Sequence, residues 1–75
     1  MSYEPIPIPC NFLDEAESIG AFAGNKRWRY KKRYYEWDRL HGEIEIYDKR
    51  GWHLGVADCN GNIIKNAVKG RKIDV

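Results

Sequence analysis

Asp38, His41, Glu43 and Glu45 stand within one short span of the chain, and they are the side chains best suited to chemistry. A carboxylate near an imidazole supplies a proton acceptor and a proton donor that both work near neutral pH, the combination that general acid–base catalysis needs. Acids on a solvent-facing strand are otherwise simply solvated, and a histidine in a turn is often incidental, so the span alone leaves both readings open. Geometry sets a condition on the catalytic one. On a straight strand His41 and Glu45 would stand ~13 Å apart at ~3.3 Å per residue, too far to flank one scissile phosphate. They converge only if the chain turns at His41 and Gly42, and glycine permits such a turn.

A second feature lies just upstream. The run from Lys26 to Tyr35 interleaves six cations with aromatic rings. Cations neutralise phosphates and release counterions, while ring faces stack on unpaired bases, so the mixture suits single-stranded or irregular RNA. Arg27, Arg29, Tyr30, Lys31, Lys32 and Arg33 are the RNA-binding candidates here, joined by Lys69 and Lys72 from the basic tail and by Tyr47 and His53. The competing reading is a basic edge strand whose charges resist aggregation. Gly70 would let Arg71 reach across a sheet, where its planar guanidinium suits a phosphate or the extra charge of a pentavalent transition state. A disordered basic end is the plainer alternative.

The elements that must position these groups have little chain to work with. Seventy-five residues make one domain, residues 1–75, and exclude a multidomain enzyme. The net charge of +2 conceals a division: residues 1–25 carry four acids and no Lys or Arg, whereas residues 26–75 carry thirteen basic and seven acidic residues. An acidic lead segment thus precedes a basic body, a hint of a nucleic-acid or membrane surface. No stretch approaches the ~18 apolar residues of a membrane span, and Met1 is not followed by an export leader. Cys10 and Cys59 lack the CxxC and histidine spacings of a zinc site. They read as two independent small side chains, with a disulfide as the alternative, and neither metal nor cofactor is expected.

Pro5, Pro7 and Pro9 alternate with isoleucine and read as an extended strap. Asn11 then offers an N-cap, and Phe12, Leu13, Ala16, Ile19 and Ala23 fall on one side at helical spacing, which predicts a short amphipathic helix over residues 12–23. From Lys26 the period is two and the composition is that of strands. Asp48-Lys49-Arg50-Gly51 and Asp58-Cys59-Asn60-Gly61 fit three-residue hairpin loops with glycine in the left-handed position. Their registers pair Ile46 with Leu54, Ile44 with Val56, Tyr47 with His53, and Val56 with Ile64. A four-residue loop from Arg39 to Gly42 pairs Trp37 with Ile44 and Tyr35 with Ile46. One face is then core, and the other collects Tyr34, Glu36, Asp38, Glu43, Glu45, Tyr47 and His53, with His41 at the adjoining turn. The expected fold is α+β: a short N-terminal helix packed on a highly twisted antiparallel β-sheet, a meander of about four or more strands.

The stretch Tyr35-Glu36-Trp37-Asp38-Arg39-Leu40-His41-Gly42-Glu43-Ile44-Glu45, continuing through Tyr47 to His53-Leu54-Gly55, resembles the cytotoxic ribonuclease domain of the rRNA-cleaving E-type colicins and cloacin. The resemblance covers roughly residues 26–73; residues 1–25 depart from the family's basic, glycine-rich approach. It implies a toxin that cuts small-subunit (16S) ribosomal RNA at the decoding centre by metal-independent transesterification, with Asp38, His41, Glu45 and Arg71 as the catalytic set. It also implies the ribosome as target and a dedicated acidic immunity protein as partner, with the domain either secreted as a stand-alone relative or delivered as part of a larger effector and acting in the target-cell cytoplasm. The free domain would be a monomer. Two further readings stay open on the residues themselves: a non-catalytic RNA-binding module, and a ribonuclease acting on tRNA or another structured RNA.

Overall fold

From Asn25 onward, charged side chains alternate with Trp, Tyr and Ile, and alternation puts every second side chain on the same face of a sheet. In the computed structural model, which describes residues 3–75, this alternation produces a six-stranded antiparallel meander in chain order. The strands are β1 (Glu17–Phe22), β2 (Asn25–Tyr30), β3 (Arg33–Asp38), β4 (Glu43–Asp48), β5 (His53–Ala57) and β6 (Ile63–Asn66). Positions 1 and 2 of the lead segment, and with them the reading of Met1, lie outside the described residues.

The helix expected over residues 12–23 does not form. Only α1 (Asn11–Asp14) is helical, a single turn, and Glu17–Phe22 is a strand bonded to β2. The fold is therefore small and all-β rather than a helix packed on a sheet. The reason lies at positions that a helix spacing treats as neutral. Gly20 has φ +114°, and Ala23 and Gly24 have φ +53° and +83°. The values at Ala23 and Gly24 close a two-residue hairpin turn in which Phe22 faces Asn25, and with that of Gly20, inside β1, they are incompatible with a continuing right-handed helix. Ile19 is the extra residue of a bulge, since the register runs from Ser18 opposite Trp28 directly to Gly20 opposite Arg27.

One face of the sheet carries Trp28, Tyr35, Trp37, Ile44, Ile46 and Ala57, covered by Cys10 and Leu13 from the lead segment. Phe12 adds its ring 4.5 Å from that of Tyr35. Leu13 is thus buried and Phe12 half-buried against the core, but by one turn of helix and a strap. Cys10 and Cys59 are bonded, with Cα atoms 4.8 Å apart, which corrects their reading as independent side chains. The bridge fastens the lead segment to the β5–β6 loop, beside a hydrogen bond from Phe12 N–H to the Cys59 carbonyl.

The β3–β4 register has Trp37 opposite Ile44 and Tyr35 opposite Ile46, as the loop length demanded. Between β4 and β5, Tyr47 does face His53, but Leu54 bulges out, so Ile46 meets Gly55, Ile44 meets Ala57 and Glu45 meets Val56. A second bulge at Ile64 sets Val56 opposite Lys65. The expected pairs Ile46–Leu54, Ile44–Val56 and Val56–Ile64 are corrected accordingly. Both Asp-x-x-Gly loops form: the Asp48 and Asp58 Oδ1 atoms each accept N–H bonds from the residues two and four further on.

Candidate active site

Arg27, Glu36, Glu45 and Val56 lie in register across β2 to β5, forming a row over the face opposite the core. Two glutamates directly opposite one another repel, and both are buried here. A guanidinium answers each. Arg27 donates to Glu36 Oε2 from Nε at 2.8 Å, and Arg71 donates to Glu45 Oε1 from Nη1 at 2.6 Å. Arg27 also donates to the Asp74 carbonyl, so the tail is drawn onto the sheet by both arginines. A buried charge without such partners would cost several kcal/mol.

Glu45 has a second partner. His53, its side chain fully buried, accepts the Val68 N–H at Nδ1 over 2.9 Å. The ring proton therefore sits on Nε2, which faces Glu45 Oε2 at 3.3 Å. Tyr47 packs edge-on against His53 with ring centroids 5.4 Å apart. Burial pushes the Tyr47 hydroxyl up to about 12, with the charges of Glu45 and Glu36 adding to burial and Arg71 opposing it. Arg71 loses some solvation as well, but its bond to Glu45 and its proximity to Tyr47 more than compensate and raise its value. It stays charged, on a side chain that is 44% exposed and therefore open to an approaching anion.

The β3–β4 turn holds the other pair. The Asp38 Oδ1 accepts the backbone N–H groups of Leu40 and His41, and its Oδ2 meets His41 Nδ1 at 2.8 Å. Burial pushes the Asp38 carboxyl up, but the bonds from the His41 side chain and from the His41 and Leu40 backbone outweigh it and hold the group below the usual range. Gly42, at φ +67°, closes the turn by donating to the Asp38 carbonyl. Only glycine fits well there, because a Cβ would come within 3.1 Å of the Glu4 side chain. The strap braces the same turn: Glu4 N–H bonds to the Arg39 carbonyl at 2.7 Å, and Trp37 Nε1–H bonds to the Glu4 carbonyl at 2.9 Å.

Asp38, Glu45 and Arg71 line a single cleft of about 380 Å³, with Tyr3 and Arg39 among its other walls. His41 is not on that lining; its exposed ring is tied to the cleft through Asp38, and no hydrogen bond joins it to Glu45. Among the RNA-binding candidates, Arg27, Tyr47 and His53 are buried and support the Glu45 environment. Arg29 pairs with Glu17, and Lys69 is exposed. Lys72 lies over the Trp52 ring at 5.1 Å. Tyr30, Lys31, Lys32 and Arg33 gather at the far end of the sheet. Among the described residues, no group of three or more His, Cys, Asp or Glu is placed to hold a metal ion, and no helix is long and apolar enough to cross a membrane. Spacing gave no sign of Tyr3 as a cleft wall, since the lead segment carried no motif, and it marked Arg39 only as the start of the β3–β4 loop.

A family model described as Cytotoxic matches residues 15–74. The match spans all six strands and the tail, and it begins upstream of the stretch 26–73 by taking in β1. No curated protein matches the chain.

Proposed function

The chain belongs to the Cytotoxic family, consistent with the ribonuclease domain of the E-type colicins, and from that premise of a toxin nuclease we propose that it cuts small-subunit ribosomal RNA at the decoding centre. The observation that carries this reading is the Glu45–Arg71 pair in a cleft shared with Asp38, because it sets a proton acceptor beside a guanidinium that solvent and an arriving phosphate can reach.

The reaction is a transesterification without a metal. The ribose 2′-oxygen attacks the adjacent phosphorus as Glu45 takes the 2′ proton, and the bond to the 5′-oxygen breaks as His41 delivers a proton to it. The products are a 2′,3′-cyclic phosphate and a free 5′-hydroxyl. Asp38 orients the His41 ring through the 2.8 Å contact. Arg71 neutralises Glu45 in the free protein. An arriving phosphate competes for the guanidinium, which frees the carboxylate to act as base and places positive charge where the phosphorane develops. His53 keeps the second Glu45 oxygen in position.

Ribosomes treated with the protein and mapped for RNA ends give a single cut in the decoding region; no cut refutes the proposal. A decoding-site oligonucleotide cut in EDTA supports the metal-free route, and a strict Mg²⁺ requirement overturns it. The same reading has the toxin delivered to a target cell and neutralised in its producer by an acidic immunity protein. Co-expression of such a partner rescues growth, and failure of every small acidic neighbour to do so refutes that part.

A further inference from the structure

At the end of the sheet away from the β3–β4 turn lies a groove of about 920 Å³, more than twice the volume of the cleft. Two hairpin turns build it. Lys31, Lys32 and Arg33 come from the β2–β3 turn, and Lys49, Arg50 and Trp52 come from the β4–β5 turn. Arg33 is opposite Asp48 in the β3–β4 ladder, so the two turns are neighbours across strands ~4.8 Å apart.

Among the described residues none of these five cations is paired with a carboxylate. The acid that lines the groove, Asp48, has its Oδ1 committed to the Arg50 and Trp52 N–H groups. Like charges gathered without partners repel one another, and a bound polyanion removes that cost by displacing many counterions at once. The groove also carries rings. Lys31 lies 5.3 Å from the centroid of Tyr30, and Trp52, 44% exposed, has Lys72 at 5.1 Å. Each ring is thus coupled to an ammonium, which matches a nucleotide, where a flat base sits one sugar away from a phosphate. An acidic polypeptide offers the charges without the flat faces.

We propose that this groove is a second RNA site, separate from the cleft, which grips the backbone and unpaired bases of a single-stranded segment of the substrate. The proposal takes the identity of the polyanion from the ribonuclease reading. It adds Lys49, Arg50 and Trp52 to the binding surface and gives the protein two points of hold on one RNA.

The test measures binding of the full chain to a fluorescent single-stranded 2′-O-methyl oligonucleotide of about twelve nucleotides. That probe lacks the attacking hydroxyl, so binding is read without cutting. Lys49→Ala with Arg50→Ala removes two positive charges from the groove, and Lys65→Glu makes the same change in net charge on the exposed face of β6, away from the groove. The groove variant is expected to bind about 10-fold more weakly at low salt. Its log–log salt dependence should be shallower by about 1.4, two phosphate contacts at ~0.7 each. The Lys65→Glu protein should lose less than about 2-fold. Equal losses in the two folded variants, or no loss in the groove variant, overturn the proposal. So does a poly-glutamate peptide that binds more tightly than the oligonucleotide and is released by the groove substitutions, which would assign the groove to an acidic protein. A protein that shows the expected binding pattern yet leaves ribosomal RNA intact keeps the groove and refutes the cleavage reading alone.

Discussion

The two ends of this sheet use the same residue types in opposite ways. Around the cleft, Arg27 is locked to Glu36 and Arg71 to Glu45, and even the peripheral Lys65 and Arg29 reach Glu43 and Glu17. Around the groove, five cations meet no carboxylate among the described residues. Pairing fixes a charge in position and lets it survive burial, which is what the base proposed at Glu45 requires. Leaving cations unpaired keeps them solvated and free to follow a flexible polyanion. A near-neutral net charge hides this division, because the acids of the basic body are concentrated on one side of it.

Breaking the paired end at its centre has the largest expected effect. Glu45→Gln should slow cutting by about 10³-fold, within the usual range for a lost acid–base group, while oligonucleotide binding at the groove persists. Single-turnover cleavage beside anisotropy separates the two, and full-rate cutting would sink the assignment of the base. Removing the bridge with Cys10→Ser and Cys59→Ser affects both ends alike, since both rest on one core face. The closed loop spans 49 residues, so the loss should be about 4 kcal/mol, with cutting and binding failing at the same urea concentration. Glu36→Ala strands the buried Arg27 and should cost about 3 kcal/mol. That loss should perturb cutting well before groove binding, and a uniform loss of both would argue against two independent ends.

Tyr47 gives a pH test confined to the paired end. Its folded value, about 12, lies above the ordinary 10, so the folded protein holds the proton longer than the unfolded chain. Its contribution is complete below pH 10 and is lost as pH rises towards 12, of the order of 2 kcal/mol. Urea titrations across that window should show the slope, and Tyr47→Phe should flatten it. The smallest effect belongs to Arg29→Ala. Its ion pair with Glu17 joins two side chains that are 53% and 65% exposed, and the change in stability should stay below about 0.5 kcal/mol.

What could be read from the sequence tracks how local each signal is. The Arg39–Gly42 loop and the two Asp-x-x-Gly turns are set by neighbouring residues, and the β3–β4 register followed to the residue. The bulges at Leu54 and Ile64 escaped because a bulge leaves alternation intact on either side and only shifts its phase. Residues 12–23 carry apolar side chains that suit a helix period. The deciding information was the left-handed backbone at Gly20, Ala23 and Gly24, two of which also fit a weak helix and its stop. Asp38 and His41 are three residues apart, so their contact was open to inspection. The Glu45–Arg71 contact and the Cys10–Cys59 bridge span 26 and 49 positions, and no spacing rule reaches that far.

The strap at residues 3–4 has a consequence for anyone handling the protein. Glu4 is pinned to Arg39 and Trp37, and Tyr3 is itself a wall of the cleft. A tag, a linker or a preceding domain joined ahead of Tyr3 is therefore attached at the doorway of the candidate cleft. The covalent neighbour becomes part of the passage into it, so its size and charge bear on whatever the cleft admits.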